Sequence, residues 1–289
     1  MGEFKADWLA LREPADATAR SGALTAEVAE RLAAMPGEYA ILDLATGTGA
    51  NVRYLAERLP SPQHWRLADR DQQLLAQVLP RLSAWATSRG AILSGNPSGV
   101  SISGPTLACR IDARRVDLAR LAGDELFSGS SLVTASALLD LVSARWLDDL
   151  AARCRRAGAI VLFALTYDGR WSCTPADPED AVVHRLVNRH QHSVKGFGRA
   201  LGPEANDYAE RAFEAVGYEV RTMSTDWHVS PQQDALQRAL IDGWASAASE
   251  MDPDSANAMT AWKVRRLARV AEGGSQIVVG HVDLAGWVR

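Results

Sequence analysis

Cysteine is scarce in this chain, three residues in 289, and Cys109, Cys154 and Cys173 show no C-x-x-C spacing. An odd, scattered set supports neither a disulfide framework nor a structural zinc site, and a reducing, cytoplasmic setting is expected. Apolar runs of membrane-spanning length are also missing. The opening Met1-Gly2-Glu3-Phe4-Lys5-Ala6-Asp7 lacks the basic-then-apolar order of a secretory signal, and Ala6 stands where a myristoylation signal carries Ser or Thr. A soluble protein is expected. The formal net charge is only −4, which leaves no electrostatic motive for a nucleic-acid or anionic-membrane partner. There is no internal repeat and no low-complexity tract. His184, His190 and His192 are close in sequence, but no Cys or Glu completes a zinc-ligand spacing around them, so no metal site is expected. What is present is ordinary globular composition, 47% hydrophobic and 23% charged, on a chain long enough for one large domain spanning 1–289.

The organising stretch is Ile41-Leu42-Asp43-Leu44-Ala45-Thr46-Gly47-Thr48-Gly49-Ala50-Asn51. A short apolar run closes on a carboxylate, small residues follow, and helical spacing resumes at Val52, Tyr54, Leu55 and Leu59, which predicts strand, tight turn and helix. Glycine at 47 and 49 admits positive φ and lets a ligand lie against the main chain, while the N–H groups opening the helix face that ligand. Such a turn is a nucleotide cradle. A pyrophosphate-binding turn carries G-x-G-x-x-G; here the pattern is D-x-A-x-G-x-G.

That pattern resembles motif I of the class I S-adenosylmethionine-dependent methyltransferases, with Ala45 in place of the usual first glycine. The resemblance covers residues 38–165 and, more loosely, a C-terminal hairpin. It implies a Rossmann-like α/β fold: a mostly parallel seven-stranded sheet, helices on both faces and an antiparallel hairpin at the C-terminus. It also implies S-adenosyl-L-methionine as cofactor, contacted by Asp43, Ala45, Thr46, Gly47 and Gly49, and methyl transfer to a small-molecule acceptor. Two rivals stand beside it. An NAD(P)-dependent oxidoreductase is disfavoured by Asp43 and the missing third glycine; a catalytically degenerate binding subunit of the same fold is motivated by Ala45.

Residues 1–37 predict a helical segment broken at Pro14, with Leu24, Val28 and Leu32 at spacing four. Arg12, Asp16 and Arg20 are four apart and would share one helix face, either as a surface ladder or, as the resemblance implies, to lay Arg20 or Arg12 on the cofactor carboxylate. Asp69 follows Gly49 by 20 residues, the distance at which a βαβ unit returns a carboxylate to ribose hydroxyls; Asp71 is the alternative, and Arg70 belongs to the same site. A helix at 72–88, a Gly/Ser/Pro-rich loop at 94–105 and a third strand at 106–111 follow. The resemblance implies that Asp112 lies beside the adenine amino group and that Ala113 offers its backbone N–H to the ring.

Residues 131–142 are similar to the family's motif IV, which implies Ser136 near the sulfonium and Asp140 near the substrate. Read without the resemblance, Asp140 is a helix N-terminal acid. A helix at 144–156 and a strand at 159–165 complete the βα alternation, which predicts a parallel sheet with its site at the carboxyl edge.

Residues 166–203 leave that edge and are expected to form the substrate-side loop region, with Tyr167, Arg170, Lys195 and Arg199 as acceptor contacts. From Ala181 to Pro203 there are four Lys or Arg and three His without one Asp or Glu, which predicts an anionic group on the acceptor. His190, His192 and Asp140 are the candidate bases. Strands at 222–229 and 276–284 enclose a helical insertion, 231–272, expected to cover the site or form a homodimer surface.

Overall fold

The computed structural model describes residues 5–96, 99–119, 121 and 123–289. Helices α1 (Ala6–Ala19) and α2 (Gly22–Ala33) precede β1 (Tyr39–Leu44), and the small-residue turn leads into α3 (Ala50–Leu55), β2 (Gln63–Asp69) and α4 (Gln72–Ser88). Next come β3 (Ile92–Asn96), β4 (Gly99–Ser103), β5 (Ala108–Arg115), β6 (Leu132–Ser136), α5 (Ala144–Ala157) and β7 (Ile160–Thr174). The remainder is α6 (Asp180–Gln191), α7 (Ala205–Ala215), β8 (Tyr218–Ser224), β9 (Trp227–Val229), α8 (Asp234–Met251), α9 (Ala256–Ala271) and β10 (Gln276–Val288).

Among the described residues the strands form one ten-stranded sheet in the order β3-β4-β5-β2-β1-β6-β7-β10-β8, with β9 also paired to β10. Strands β5, β2, β1, β6 and β7 are mutually parallel, and β10 runs antiparallel to β7, β8 and β9. Chain order reverses between β1 and β6, so the connections leaving their carboxyl ends diverge and open a crevice there.

Strand alternation sorts the core into two layers. Ile41 and Leu162 turn one way, to Val28 and Leu32 of α2 and Val78 and Leu82 of α4; Leu42, Leu44, Val161 and Phe163 turn the other way, to Leu147 and Leu150 of α5 and Phe213 of α7. A third cluster lies where β7 and β10 outrun the sheet: Trp171, Cys173, Ile277 and Val279 pack on Leu240, Ile241, Trp244 and Trp262 of the insertion.

Several expectations are corrected. The seven expected strands are present, with three more, because β3 and β4 form a hairpin inside the segment expected to be a loop and β9 adds to β10. Pro14 lies within α1 rather than breaking it, and the chain leaves the helix at Arg20, whose ψ of 143° is extended. The third strand continues past Asp112 to Arg115. Residues 166–203 are only partly loop: β7 continues through Thr174, placing Tyr167 and Arg170 on a strand, and α6 follows. Pairing with the long β10 holds that extension.

Candidate active site

The turn after β1 has a backbone that side chains disfavour. Ala45, Gly47 and Gly49 have φ of 53°, 56° and 79°, so an alanine adopts the left-handed conformation of the absent glycine, at a cost of about 1–2 kcal/mol. A buried network holds it. Asp43, with no exposed surface, accepts hydrogen bonds from Thr46 Oγ1 at 2.5 Å and Asn51 Nδ2 at 2.7 Å. Asn51 Nδ2 also donates to Thr134 Oγ1 at 3.1 Å, and Asn51 Oδ1 accepts from Arg20 Nη1 at 2.7 Å. Burial pushes the Asp43 carboxyl up to about 6 against the pull of these bonds.

Across the turn, Asp69 at the end of β2 accepts the Gly47 N–H at 2.8 Å and the Asp71 N–H at 2.9 Å. Asp71 caps α4 by accepting from the N–H groups of Gln73 and Leu74. These residues line a cleft of about 1080 Å³, open solvent included, that is roofed by Leu9 and Arg12 of α1 and walled by Leu118, Leu138 and Phe197. Leu9 sits so close that a Cβ on Gly47 would meet its Cδ1 at 3.1 Å. Thr48 Oγ1 and Ser136 Oγ face the cleft region buried and without a hydrogen-bond partner among the described residues.

At the same edge, Ala137 and Leu165 are also left-handed, at φ 52° and 57°. Asp283 of β10 fixes the second by accepting the Leu165 N–H at 2.7 Å, and it also takes the Ser21 N–H at 2.9 Å and Thr225 Oγ1 at 3.0 Å. One buried carboxylate thus ties α2, β7 and the β8–β9 turn together. The pairing of β10 with β7 slips between Val279 and His281 and again between Val282 and Leu284, irregularities that re-aim His281 and Asp283. Burial pushes His281 down to about 3, so it stays neutral; its ring packs on Trp227 at 4.8 Å and on Tyr167 at 6.4 Å. Arg12 lies over Trp227 at 5.8 Å.

Asp140 lies between Leu138 and Leu141, both on the cleft wall. It is buried, its Oδ1 has no partner among the described residues, and burial pushes its carboxyl up to about 6 against the opposing charges of Arg12 and Lys195.

No protein-family model and no curated protein sequence matches the chain. Solved structures do. A cyclopropane-fatty-acyl-phospholipid synthase-like protein from Lactobacillus casei superposes at a TM-score of 0.51 and 13% identity, over 96% of this chain and 99% of that one. The chain has the class I methyltransferase fold. Further matches are a SAM-dependent methyltransferase from Geobacter sulfurreducens in complex with S-adenosyl-L-homocysteine (TM-score 0.48, 16% identity, 100% of both chains) and a cyclopropane synthase from Mycobacterium tuberculosis (0.48, 12%, 98% of this chain and 94% of that one).

Within this methyltransferase fold the cleft brings together Asp43, Ala45, Thr46, Gly47, Asp69, Arg70 and Ser136, and Gly49 opens α3 beside them. Other expected residues lie elsewhere. Asp112 is in mid-strand and binds His64 Nε2 at 2.6 Å, and Ala113 is exposed beside it; the chain returns to the cleft only at Leu118. Arg20, having left the helix, points behind the turn to Asn51, and Arg12 takes the roof. His190 pairs with Glu250 at 3.3 Å and His192 with Glu204 at 3.4 Å, so acids from α8 and the start of α7 meet the acid-free run. Arg170 is bound to Asp168 and Asp226, and Arg199 is exposed. Lys195 is half-buried, 3.5 Å from His190 Nδ1 and close enough to act on Asp140. Tyr167 donates its hydroxyl to Asn188 Oδ1 at 2.7 Å. Among the described residues no group of three metal-ligating side chains occurs, and no helix is long and apolar enough to cross a membrane.

Sequence reasoning missed Leu9, Leu118, Phe197, His281 and Asp283. A signal existed for the last: a lone acid in an apolar strand is buried, and a buried acid needs donors.

Proposed function

We propose that the protein is an S-adenosylmethionine-dependent methyltransferase acting on a small-molecule acceptor. The observation that carries the reading is the left-handed D-x-A-x-G-x-G turn bound to the Asp69 carboxylate through the Gly47 N–H, with the hydroxyls of Thr48 and Ser136, two residues of the same cleft lining, left without partners. Unpartnered buried hydroxyls fit a ligand that satisfies them. Asp69 would take the ribose hydroxyls as a charged acceptor; the Gly47 and Gly49 backbone would border the methionine half; Leu74, Leu118 and Leu138 would enclose the base. In place of the Asp112 and Ala113 contacts, Leu118, three residues past the end of β5, would supply an apolar neighbour to the ring.

The cofactor supplies an electrophilic methyl group. The chain's own work is to align the acceptor beside Ser136 and remove its proton. Of the three candidate bases, Asp140 is favoured: its carboxyl is held near 6, Oδ1 is free, and the two histidines are engaged by Glu250 and Glu204. Tyr167, which packs on neutral His281 and lies near enough to act on Asp140, would serve as an orienting group. Lys195, the one cation of the basic run near Asp140, would meet an anionic group on the acceptor; Arg199 has no part in it. Calorimetric titration with S-adenosylhomocysteine and, separately, with NAD tests the reading: tight binding of the first and none of the second is expected, and the reverse would overturn it.

A further inference from the structure

Adjoining the cofactor cleft, with which it shares Asp16 and Ala50, a groove between α1, α3 and α4 holds a concentration of arginines: Arg20, Arg53, Arg58 and Arg89, with Tyr54 and Trp85. Most cations around it have a carboxylate. Arg53 grips Glu13 through two bonds of 2.8 and 2.7 Å, Arg89 pairs with Glu57 at 2.7 Å, and Arg12 with Asp16 at 2.9 Å. Three acids are thereby taken by three arginines. Arg20 and Arg58 have none within ion-pair distance among the described residues, and both guanidiniums lie on the ring of Tyr54, at 4.6 and 4.0 Å from its centroid.

Arg20 is the more telling of the two. Only 8% of it is exposed, one nitrogen is spent on Asn51, and its Nε has no partner. The carboxylates of Asp16, Asp283 and Asp43 act on it only from beyond ion-pair distance; a buried guanidinium without a direct ion pair is costly, and cation–π contact with Tyr54 offsets only part of that cost. Asp16 also keeps an unpartnered oxygen, but its carboxyl is raised by burial and committed to Arg12. Arg58 spends one nitrogen on the Tyr54 carbonyl at 2.6 Å, and the rest of its exposed fork is open to the groove.

We propose that this groove binds a phosphate group, free or carried on a small molecule, between Arg20 and Arg58. Two planar forks can divide the oxygens of one tetrahedral anion, and Trp85 offers an apolar wall to whatever carries it. The groove adjoins the methyl-transfer cleft at Asp16 and Ala50, but its occupancy does not depend on that reading.

Inorganic phosphate, then phenyl phosphate, is titrated calorimetrically into the full chain at ionic strength matched with sodium chloride, with and without saturating S-adenosylhomocysteine. Saturable binding in both conditions is expected, weakened by roughly tenfold or more in Arg58→Gln and unchanged in Arg185→Gln, an exposed arginine outside the groove. Arg58 is exposed, so its variant keeps the fold. Tighter binding of phenyl phosphate assigns the site to a phosphorylated aromatic, and equal binding to free phosphate. No signal above the salt-matched control overturns the proposal, as does equal binding by Arg58→Gln. Complete displacement by S-adenosylhomocysteine would also overturn it, because the anion Arg20 lacks would then be the carboxylate of that ligand.

Discussion

The carboxyl edge of the parallel strands and the antiparallel extension with its helices hold their carboxylates in opposite ways, although Trp171 Nε1, Gln237 Oε1 and Ser275 Oγ of the extension and its helices are also without partners among the described residues. At the parallel edge, Thr48, Ser136 and Asp140 keep unpartnered oxygens, Asp43 and Asp140 have carboxyls raised by burial, and Ala45, Ala137 and Leu165 sit in left-handed conformations. In the extension, Asp180 accepts from Trp262 Nε1 at 2.9 Å and from Arg266, Arg265 grips Asp177 at 2.8 Å, and Trp171 stacks on Trp244 at 4.2 Å. Strain and unmet hydrogen bonds cost stability, and they persist where the surrounding structure over-determines them. One region therefore supports the fold while the other is kept ready for a ligand.

The sharpest break of that comparison is in the extension. Arg266→Ala removes a buried guanidinium from partly buried Asp180, which keeps only Trp262 Nε1 as a side-chain donor, and should destabilise by up to about 3 kcal/mol without changing affinity for S-adenosylhomocysteine; denaturant unfolding and calorimetry check the two halves separately.

Asp140→Asn is expected to act in the opposite sense. Asp140 titrates near 3.8 when unfolded and near 6 when folded. The folded state therefore binds more protons across that interval, and the residue's stabilising contribution falls as pH rises through it. Removing the charge should raise stability above pH 6 by on the order of 2–3 kcal/mol, change little below pH 4, and abolish turnover. The wild-type rate should rise through about pH 6. A flat rate profile, or a variant that keeps turnover, would return the base assignment to the histidines.

Asp69→Ala should weaken S-adenosylhomocysteine binding by about 1.5–3 kcal/mol while unfolding changes less, and unchanged calorimetric affinity would remove Asp69 from the ribose. The smallest effect is at the turn itself. Ala45→Gly relieves a left-handed side chain and should stabilise by up to about 1 kcal/mol, read as a modest rise in Tm with cofactor affinity retained.

Those residues also mark what could be read in advance. Apolar alternation and small-residue spacing made the strands, the turn and its acids legible, because strand, turn and helix depend on neighbours in sequence. The strand end expected just before Asp112 was misplaced because the end of a strand is set by its pairing: β5 runs on to Arg115 beside β2. The partners of His190 and His192 were not legible, because the acids near them, Glu250 and Glu204, come from other elements.

The sequence by itself determined that this chain forms a βα-alternating sheet with a ligand turn after its first strand and acids returning beside it, since periodicity and backbone freedom at Gly47 and Gly49 are local properties. Only the tertiary structure decided which polar groups remain without partners. Ser136 lines the cleft, Asp140 is buried between the cleft-lining Leu138 and Leu141, Arg20 bonds Asn51 and Asp283 ties three elements together, because burial and counter-charge come from residues distant in the chain.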